Sequence, residues 1–530
     1  MKNTSANIFF TRFLFYFLVV VFYQFFALDL QAQNIPVGSL LDDRIRSFQL
    51  MGKLDSSISL CVRPFSANKD LPLSGIYRMI DGEENSIYQK PIQFAGKLGK
   101  FSLLPVTLIQ QYNTHHPYGW NDGAMIPSKG YQAMVSAGFY ASLGPLEIQI
   151  QPEFVTAFQK PYAANSDYGN NVSGQYKKVF GGQSSVSLSF GAVSAGVSTA
   201  NLWWGPGQVS SLLMSNNAPG FLHAYFRSKR PIRTGIGNFE WQLIGGKIVS
   251  DNDYGYENYN LRQRNFQSDW RYLNAMVISY QPKWVPGLFV GFTRALQRYN
   301  TDLNLGSSAF MKKYLPILTL PFQKVNAFND DNLKTDQLAS FFLKWVLSKV
   351  KAEFYIEYGF NDYGVNVRDY IMAPTHSAAY LAGFKKIIPS TNTSTYFELN
   401  AEITQMTQSA DFLVRDAGNW YVHVPIVQGY TNNNQIIGAG AGLGCNVQTL
   451  QGTFVKGWKQ LGLLFERVER DPQYHTNHWV DLSIGFLPQY KYKNMVLSGK
   501  FQFINSSNYA WEKDVNQFNL HSRLSIQYLF

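Results

Sequence analysis

The last sixteen residues, Val515 to Phe530, read VNQFNLHSRLSIQYLF. From Phe518 the even positions are Phe518, Leu520, Ser522, Leu524, Ile526, Tyr528 and Phe530, and the odd ones Asn519, His521, Arg523, Ser525, Gln527 and Leu529. Successive side chains of a strand point to opposite faces, so this pattern predicts a strand with one apolar and one mostly polar face. The alternation recurs upstream. Leu146, Ile148 and Ile150 alternate with Glu147, Gln149 and Gln151; Phe239, Trp241 and Leu243 with Glu240 and Gln242. Phe397, Leu399, Ala401 and Ile403 alternate with Glu398, Asn400 and Glu402; Val480, Leu482, Ile484 and Phe486 with Asp481, Ser483 and Gly485. Glu and Gln on an inner face are costly in a dry soluble core and ordinary in a polar lumen.

A strand ending in Tyr528-Leu529-Phe530 looks like the closing strand of a bacterial outer-membrane barrel, and Phe530 resembles the signal read by the barrel insertion machinery. Composition agrees. Aromatic residues make up 16%, which suits girdles at two membrane interfaces. Mean hydropathy is -0.17, too low for a bundle of membrane helices, and no run of about twenty apolar residues follows residue 32. The predicted fold is all-β, a transmembrane antiparallel β-barrel with a short N-terminal helical element.

Connection lengths give the strand count. With Leu103–Asn113 as the first strand, long connections fall near 114–130, 159–182, 202–220, 249–268, 295–337, 359–376, 406–437, 469–478 and 505–516. Short ones fall at Gly144-Pro145, near Gly191, at Lys229–Asn238, Pro282–Gly287, Ser348-Lys349, Lys386–Thr395, Thr449–Gln460 and Tyr492–Asn494. Barrels of this class have short periplasmic turns and long outside loops. The alternation predicts eighteen strands, an even number that closes the sheet without a free edge.

Residues 1–32 read as a secretory signal: Lys2 and Arg12 precede the apolar Phe13–Leu28, and Ala32 offers a small residue at the cut. Residues 33–100 read as a periplasmic or plug region, and 101–530 as the barrel. Ser39-Leu40-Leu41-Asp42 resembles a capping box, Leu41, Ile45, Phe48 and Leu50 or Met51 recur at helical spacing, and Gly52 can stop the helix. Ser57–Arg63 is strand-like. Cys61 and Cys445 lie too far apart for a metal motif or a disulfide framework and read as unpaired buried thiols. The formal charge of +11 favours anionic partners. Nucleic acid is excluded for an exported chain, leaving lipopolysaccharide phosphates or an acidic polysaccharide.

The long connections carry the unusual chemistry. His115-His116-Pro117-Tyr118-Gly119-Trp120-Asn121-Asp122-Gly123 is one cluster. Asn201-Leu202-Trp203-Trp204-Gly205-Pro206-Gly207, continued by Ser215–Gly220, is a second. Arg415-Asp416-Ala417-Gly418-Asn419-Trp420-Tyr421-Val422-His423, leading into Gln428–Asn434, is a third. Aromatic rings stack on pyranose faces, planar polar groups take hydroxyls, and Arg grips a uronate carboxylate through two bonds. Candidate polysaccharide contacts are Trp120, Asn121, Asp122, Trp203, Trp204, Arg415, Trp420 and His423. The alternative is that these loops fold inward and pack on one another, with Trp as filler and Gly, Pro and Asn as turn formers. No catalytic residue, metal site or cofactor is expected. His376 and Ser377 are adjacent and would point to opposite faces of a strand, and His115, His116 and Asp122 share one short loop. A passive porin is the other reading, since eighteen strands can enclose a channel.

Four stretches carry a family resemblance: HHPYGWNDGAMIPSKG at 115–130, WWGPGQVSSLLMSNNAPG at 203–220, residues 363–385 with His376-Ser377-Ala378-Ala379-Tyr380, and residues 415–444 with Gly429-Tyr430-Thr431 and Gly438-Ala439-Gly440. In these the chain resembles the Wzi capsule assembly proteins of Bacteroidetes-type genomes. The resemblance implies an eighteen-strand outer-membrane barrel acting as a lectin, which binds capsular or exopolysaccharide and helps organise the capsule. Better-known members carry a longer helical N-terminal region, which 34–100 matches only loosely.

Overall fold

The structure is a computed structural model describing residues 33–81, 90–162, 174–250, 269–304, 310–319, 334–361, 375, 377–390, 394–408, 418–423 and 425–530. Met1–Ala32, His376 and Arg415 lie outside the described residues, as do 251–268 and parts of the expected connections 159–182, 295–337, 359–376 and 406–437.

One antiparallel sheet of twenty-two segments closes on itself. Its wall has eighteen strands, because Ile92–Phe94 and Ile232–Arg233 are short appendages and two strands are each interrupted once. The interrupted strands are Leu146–Ile150 with Glu153–Gln159, and Gly174–Phe180 with Ser185–Phe190. Gln517–Tyr528 closes the barrel against Gly99–Asn113, with His521 opposite Asn113 and Tyr528 opposite Val106. Its faces divide as the alternation requires: Phe518, Leu524 and Tyr528 stand exposed, while Asn519, His521 and Ser525 are buried inside. Short and long connections alternate around the wall, from Gly144-Pro145 to Lys493-Asn494 at one end and from 114–129 to 508–516 at the other. Exposed outward rings mark both ends: Trp284, Trp345, Tyr490 and Tyr492 near the short turns, Tyr112, Tyr131 and Tyr380 near the long loops. This arrangement belongs at two membrane interfaces.

Some boundaries move. The first strand starts at Gly99 and absorbs Pro105 at a bulge between Leu104 and Thr107. The expected turn Thr449–Gln460 shrinks to Gly457-Trp458, because Thr449, Gln451 and Thr453 belong to the strand Asn446–Lys456. Thr449 and Thr453 are buried, so their polarity reflects a polar interior rather than a turn.

Residues 33–81 lie in the lumen. Helix α1 (Asp42–Leu50) follows the expected stripe, with Ile45 and Phe48 buried. Its start differs from expectation: Leu41 holds the cap position with no side-chain bond, and Asp42 Oδ2 accepts the Gly38 N–H at 3.2 Å. Asp42 and Asp43 in the first turn suit the positive end of the helix dipole. Gly52 takes the left-handed conformation, φ 72°, that ends the helix, and the Lys53 N–H reaches Phe48 O at 2.9 Å. The polar face is buried too. Arg44 donates to Tyr396 at 2.8 Å and to Gly457 O at 3.0 Å, and Ser47 Oγ donates to Glu398 at 2.8 Å. Arg46 is ion-paired with Glu353, which also faces Lys344 Nζ at 3.3 Å. Helix α2 (Leu73–Asp81) ends at the short-turn rim, where Asp81 accepts Trp458 Nε1 at 2.7 Å and pairs with Lys491 at 2.6 Å. Cys61 and Cys445 are both buried thiols. No helix among the described residues is long and apolar enough to cross a membrane.

Candidate functional site

Three long loops turn back into the barrel and interlock. The loop 114–129 is folded by Asn113, whose side-chain amide donates to Tyr118 O at 2.9 Å and Ser128 O at 2.8 Å. Tyr118 is buried, its hydroxyl donating to Glu466 at 2.8 Å. Half-buried Trp120 lies 5.3 Å from the Tyr118 ring and 5.9 Å from Lys500 Nζ. Asn121 bridges to the next loop: its side chain donates to Val209 O at 2.6 Å, its backbone N–H to Asn217 Oδ1 at 3.2 Å. Asp122 accepts Gln111 Nε2 at 2.6 Å and pairs with Arg523 Nε at 3.1 Å. His115 and His116 are joined Nδ1 to Nδ1 at 3.2 Å. Burial pushes His116 down to about 3, so it stays neutral at ordinary pH.

The loop 199–222 runs through the lumen. Trp203 and Trp204 form a two-residue antiparallel pairing with Arg63 and Val62. Arg63 sits 4.6 Å over the Trp203 ring, donates to Gly207 O at 2.9 Å and pairs with Asp42 at 3.2 Å. Trp204 Nε1 donates to Gln242 at 3.2 Å. Beyond the tryptophans the Glu402 carboxylate accepts three consecutive backbone N–H groups, from Gln208 at 2.7 Å, Val209 at 3.1 Å and Ser210 at 2.7 Å. It also accepts the Tyr355 hydroxyl at 2.8 Å.

The loop 418–445 fills the rest. Trp420 Nε1 donates to Ser377 O at 2.9 Å, and Tyr421 OH donates to Leu212 O at 2.7 Å while accepting the Ala439 N–H at 2.8 Å. The three loops meet at Gly440, where a Cβ would stand 2.3 Å from Asn217 Oδ1 and 2.7 Å from Trp120 Cβ. Only a residue without Cβ allows that approach.

This geometry sorts the candidates. Trp204 and Trp420 are 0% exposed and Trp203 is 4%; all three serve as lumen core rather than as rings offered to a polymer. Their indole N–H groups are all satisfied inside, as buried tryptophans require. Trp120, Asn121, Asp122 and His423 keep partial exposure; Asn121 is spent on joining its loop to the loop 199–222, and Asp122 on joining it to the wall. Arg415 and His376 are outside the described residues. Among the described residues no group of three His, Cys, Asp or Glu side chains stands ready for a metal.

Sequence reasoning placed nothing in the last two long loops. There Tyr474 is 48% exposed, and His475 stacks on Trp511 at 3.9 Å with 13° between the rings. Trp511 is fixed by donating to Arg470 O at 2.9 Å, and Tyr509 and Trp479 pack edge to face at 5.0 Å. The visible signal was Tyr474-His475 and Tyr509-Ala510-Trp511 in connections already read as long.

A closed wall with an apolar outer face, two aromatic girdles and a lumen packed with its own loops defines a transmembrane β-barrel of the outer-membrane class. Residues 111–516 match the family model described as capsule assembly protein Wzi, and the chain belongs to that family. Among solved structures the chain is similar to Wzi of Escherichia coli, described as an outer membrane protein involved in group 1 capsule assembly and a carbohydrate-binding β-barrel. The TM-score is 0.60 at 12% identity, over 94% of this chain and 100% of that one. OpdQ of Pseudomonas aeruginosa follows at TM-score 0.43 and 12% identity, over 80% and 97% of the two chains. OccAB3 of Acinetobacter baumannii gives TM-score 0.41 and 13% identity, over 82% and 99%. No curated protein matches the chain.

Proposed function

We propose that this barrel binds capsular or exopolysaccharide at the surface of a Gram-negative cell and helps anchor or assemble the capsule. Membership of the capsule assembly family, over a span that includes the interlocked loops, carries the reading. The packed lumen supports it against a porin: Leu212, Trp204, Trp420, Tyr421 and Leu443 form one apolar cluster where a channel would need water. The chemistry is binding, with no catalytic step and no cofactor. Residues 1–32 direct export, 33–81 form the region inserted from the periplasmic side, and the insertion machinery reads the closing strand. The positive charge favours an acidic polymer and the phosphates of lipopolysaccharide.

Sugar contact belongs to the rim of the long-loop end, through exposed Tyr474 and partly exposed His475, which the buried Trp511 ring backs from inside, with Trp120, His423 and Arg415 as further candidates. A stacked ring contributes roughly 0.5–1.5 kcal/mol beyond its area, so Tyr474→Ala is expected to weaken binding of short oligosaccharides about two- to tenfold. Purified protein in detergent, titrated with fragments of the cell's own capsule, measures this without multivalent masking. A folded wild type that binds no surface polysaccharide, together with a large steady single-channel conductance, would return the porin reading.

Orientation has its own check. An epitope inserted at Tyr474 is expected to be reached by antibody on intact cells, and one at Ser348-Lys349 only after permeabilisation. The opposite labelling would invert the barrel.

A further inference from the structure

The outer, lipid-facing wall carries a groove of about 600 Å³ across the strands from Asn446–Lys456 to Gln517–Tyr528. Its floor is one register row of outward side chains, Leu450 opposite Phe465, Phe465 opposite Ile484, and Ile484 opposite Phe503. The next row toward the long loops changes character and reads Gln448, Arg467, Leu482, Asn505 and Phe518. Two amides and a guanidinium thus face lipid at the upper edge of the apolar band. Arg467 is held over the groove by Gln448 Oε1, 3.0 Å from Nη1, and by Glu469, 3.4 Å from Nη2. Its Nε has no protein partner among the described residues.

A charge turned toward lipid is costly unless it sits at the headgroup level with a partner. Arginine's planar fork fits a phosphate, and amides serve sugar hydroxyls. A groove of this volume is in the range of small-ligand sites. We propose that it is a binding site for a phosphorylated glycolipid of the outer leaflet. One acyl chain lies along Phe465, Ile484 and Phe503, the phosphate meets the open edge of Arg467, and Gln448 and Asn505 take headgroup hydroxyls. The site rests on the placement of the barrel in an outer membrane and is independent of sugar binding at the rim.

Native mass spectrometry of delipidated protein tests it, with three defined lipids: phosphorylated lipid A, its dephosphorylated form, and phosphatidylglycerol. One phosphorylated lipid A is expected to be retained in preference to the other two. Arg467→Gln is expected to lower retention roughly tenfold, the scale of one charge-assisted bond, and Ile484→Trp to lower it by filling the groove. Both variants keep heat-modifiable mobility and unchanged oligosaccharide binding, which separates this site from the rim. Equal retention of the dephosphorylated lipid overturns the phosphate contact, and equal retention of phosphatidylglycerol overturns the glycolipid. Undiminished retention by Ile484→Trp overturns the location. The three-lipid comparison on wild-type protein decides the ligand even if a variant fails to fold.

Discussion

Glu353→Ala is expected to loosen the N-terminal segment from the barrel, at a cost of about 3–5 kcal/mol, while the wall stays closed. Glu353 is 0% exposed, as is Lys344, and Arg46 is 4% exposed. Their shared carboxylate is the charge partner of both cations, with Lys344 Nζ at 3.3 Å. Removing it leaves two buried cations, and breaking a buried ionic cluster from one side is far more damaging than replacing all of it. Lys344 retains a bond to Ser59 O at 3.0 Å, which satisfies one of three donors and no charge. Arg46→Ala is the milder variant, because Glu353 then keeps Lys344. Thermal unfolding in detergent with limited proteolysis of 33–81 measures the effect: early cleavage with heat-modifiability intact is the expected pattern. An unchanged melting temperature and an uncut segment would refute the role assigned to the cluster.

Glu402→Ala should detach the loop after Trp204. Three backbone N–H groups and the Tyr355 hydroxyl lose one acceptor together. An orphaned buried donor costs about 1–3 kcal/mol, and water entry offsets part of the sum, so docking weakens by roughly 3–5 kcal/mol. Hydrogen exchange at Gln208, Val209 and Ser210 would then accelerate on the order of a hundredfold or more. Glu402→Gln keeps one acceptor oxygen and should lie between. Exchange at wild-type rates in Glu402→Ala would mean that the loop is held by its tryptophans alone. The same variant connects to the porin question, because a loosened loop should give intermittent conductance where the packed lumen of the wild type is expected to give none.

The wall was legible because a strand's two-residue period is written in the residues themselves. Phe518 to Tyr528 and Val480 to Phe486 show it without any partner, and turn spacing supplied the strand number. The lumen was not legible in the same way. Aromatic rings beside Asn, Gly and Pro suit a sugar cleft and a tightly packed loop core alike, and local composition does not separate them. Trp203 and Trp204 are buried because Val62 and Arg63, far away in the chain, pair with them. Arg44 and Arg46 look like a solvated helix face until Tyr396 and Glu353 surround them. Thr449, Gln451 and Thr453 read as a turn for a related reason: polarity signals solvent only where the interior is apolar.

The pairing of Val62–Arg63 with Trp203–Trp204 has a mechanical side. A polymer pulling at Trp120 would load the loop 114–129 first, and Asn121 would pass the load to the loop 199–222 through Val209 and Asn217. That load would pass through the two-residue strand pair and Arg63 to Asp42, then along helix α1 to Glu353 and Glu398 on the wall. Tension applied outside is therefore shared with the wall near the short turns instead of tearing one loop from its rim. The inserted segment acts as a tie between loop and wall, so the strength of a tether built on the proposed rim site would be set by contacts away from that rim.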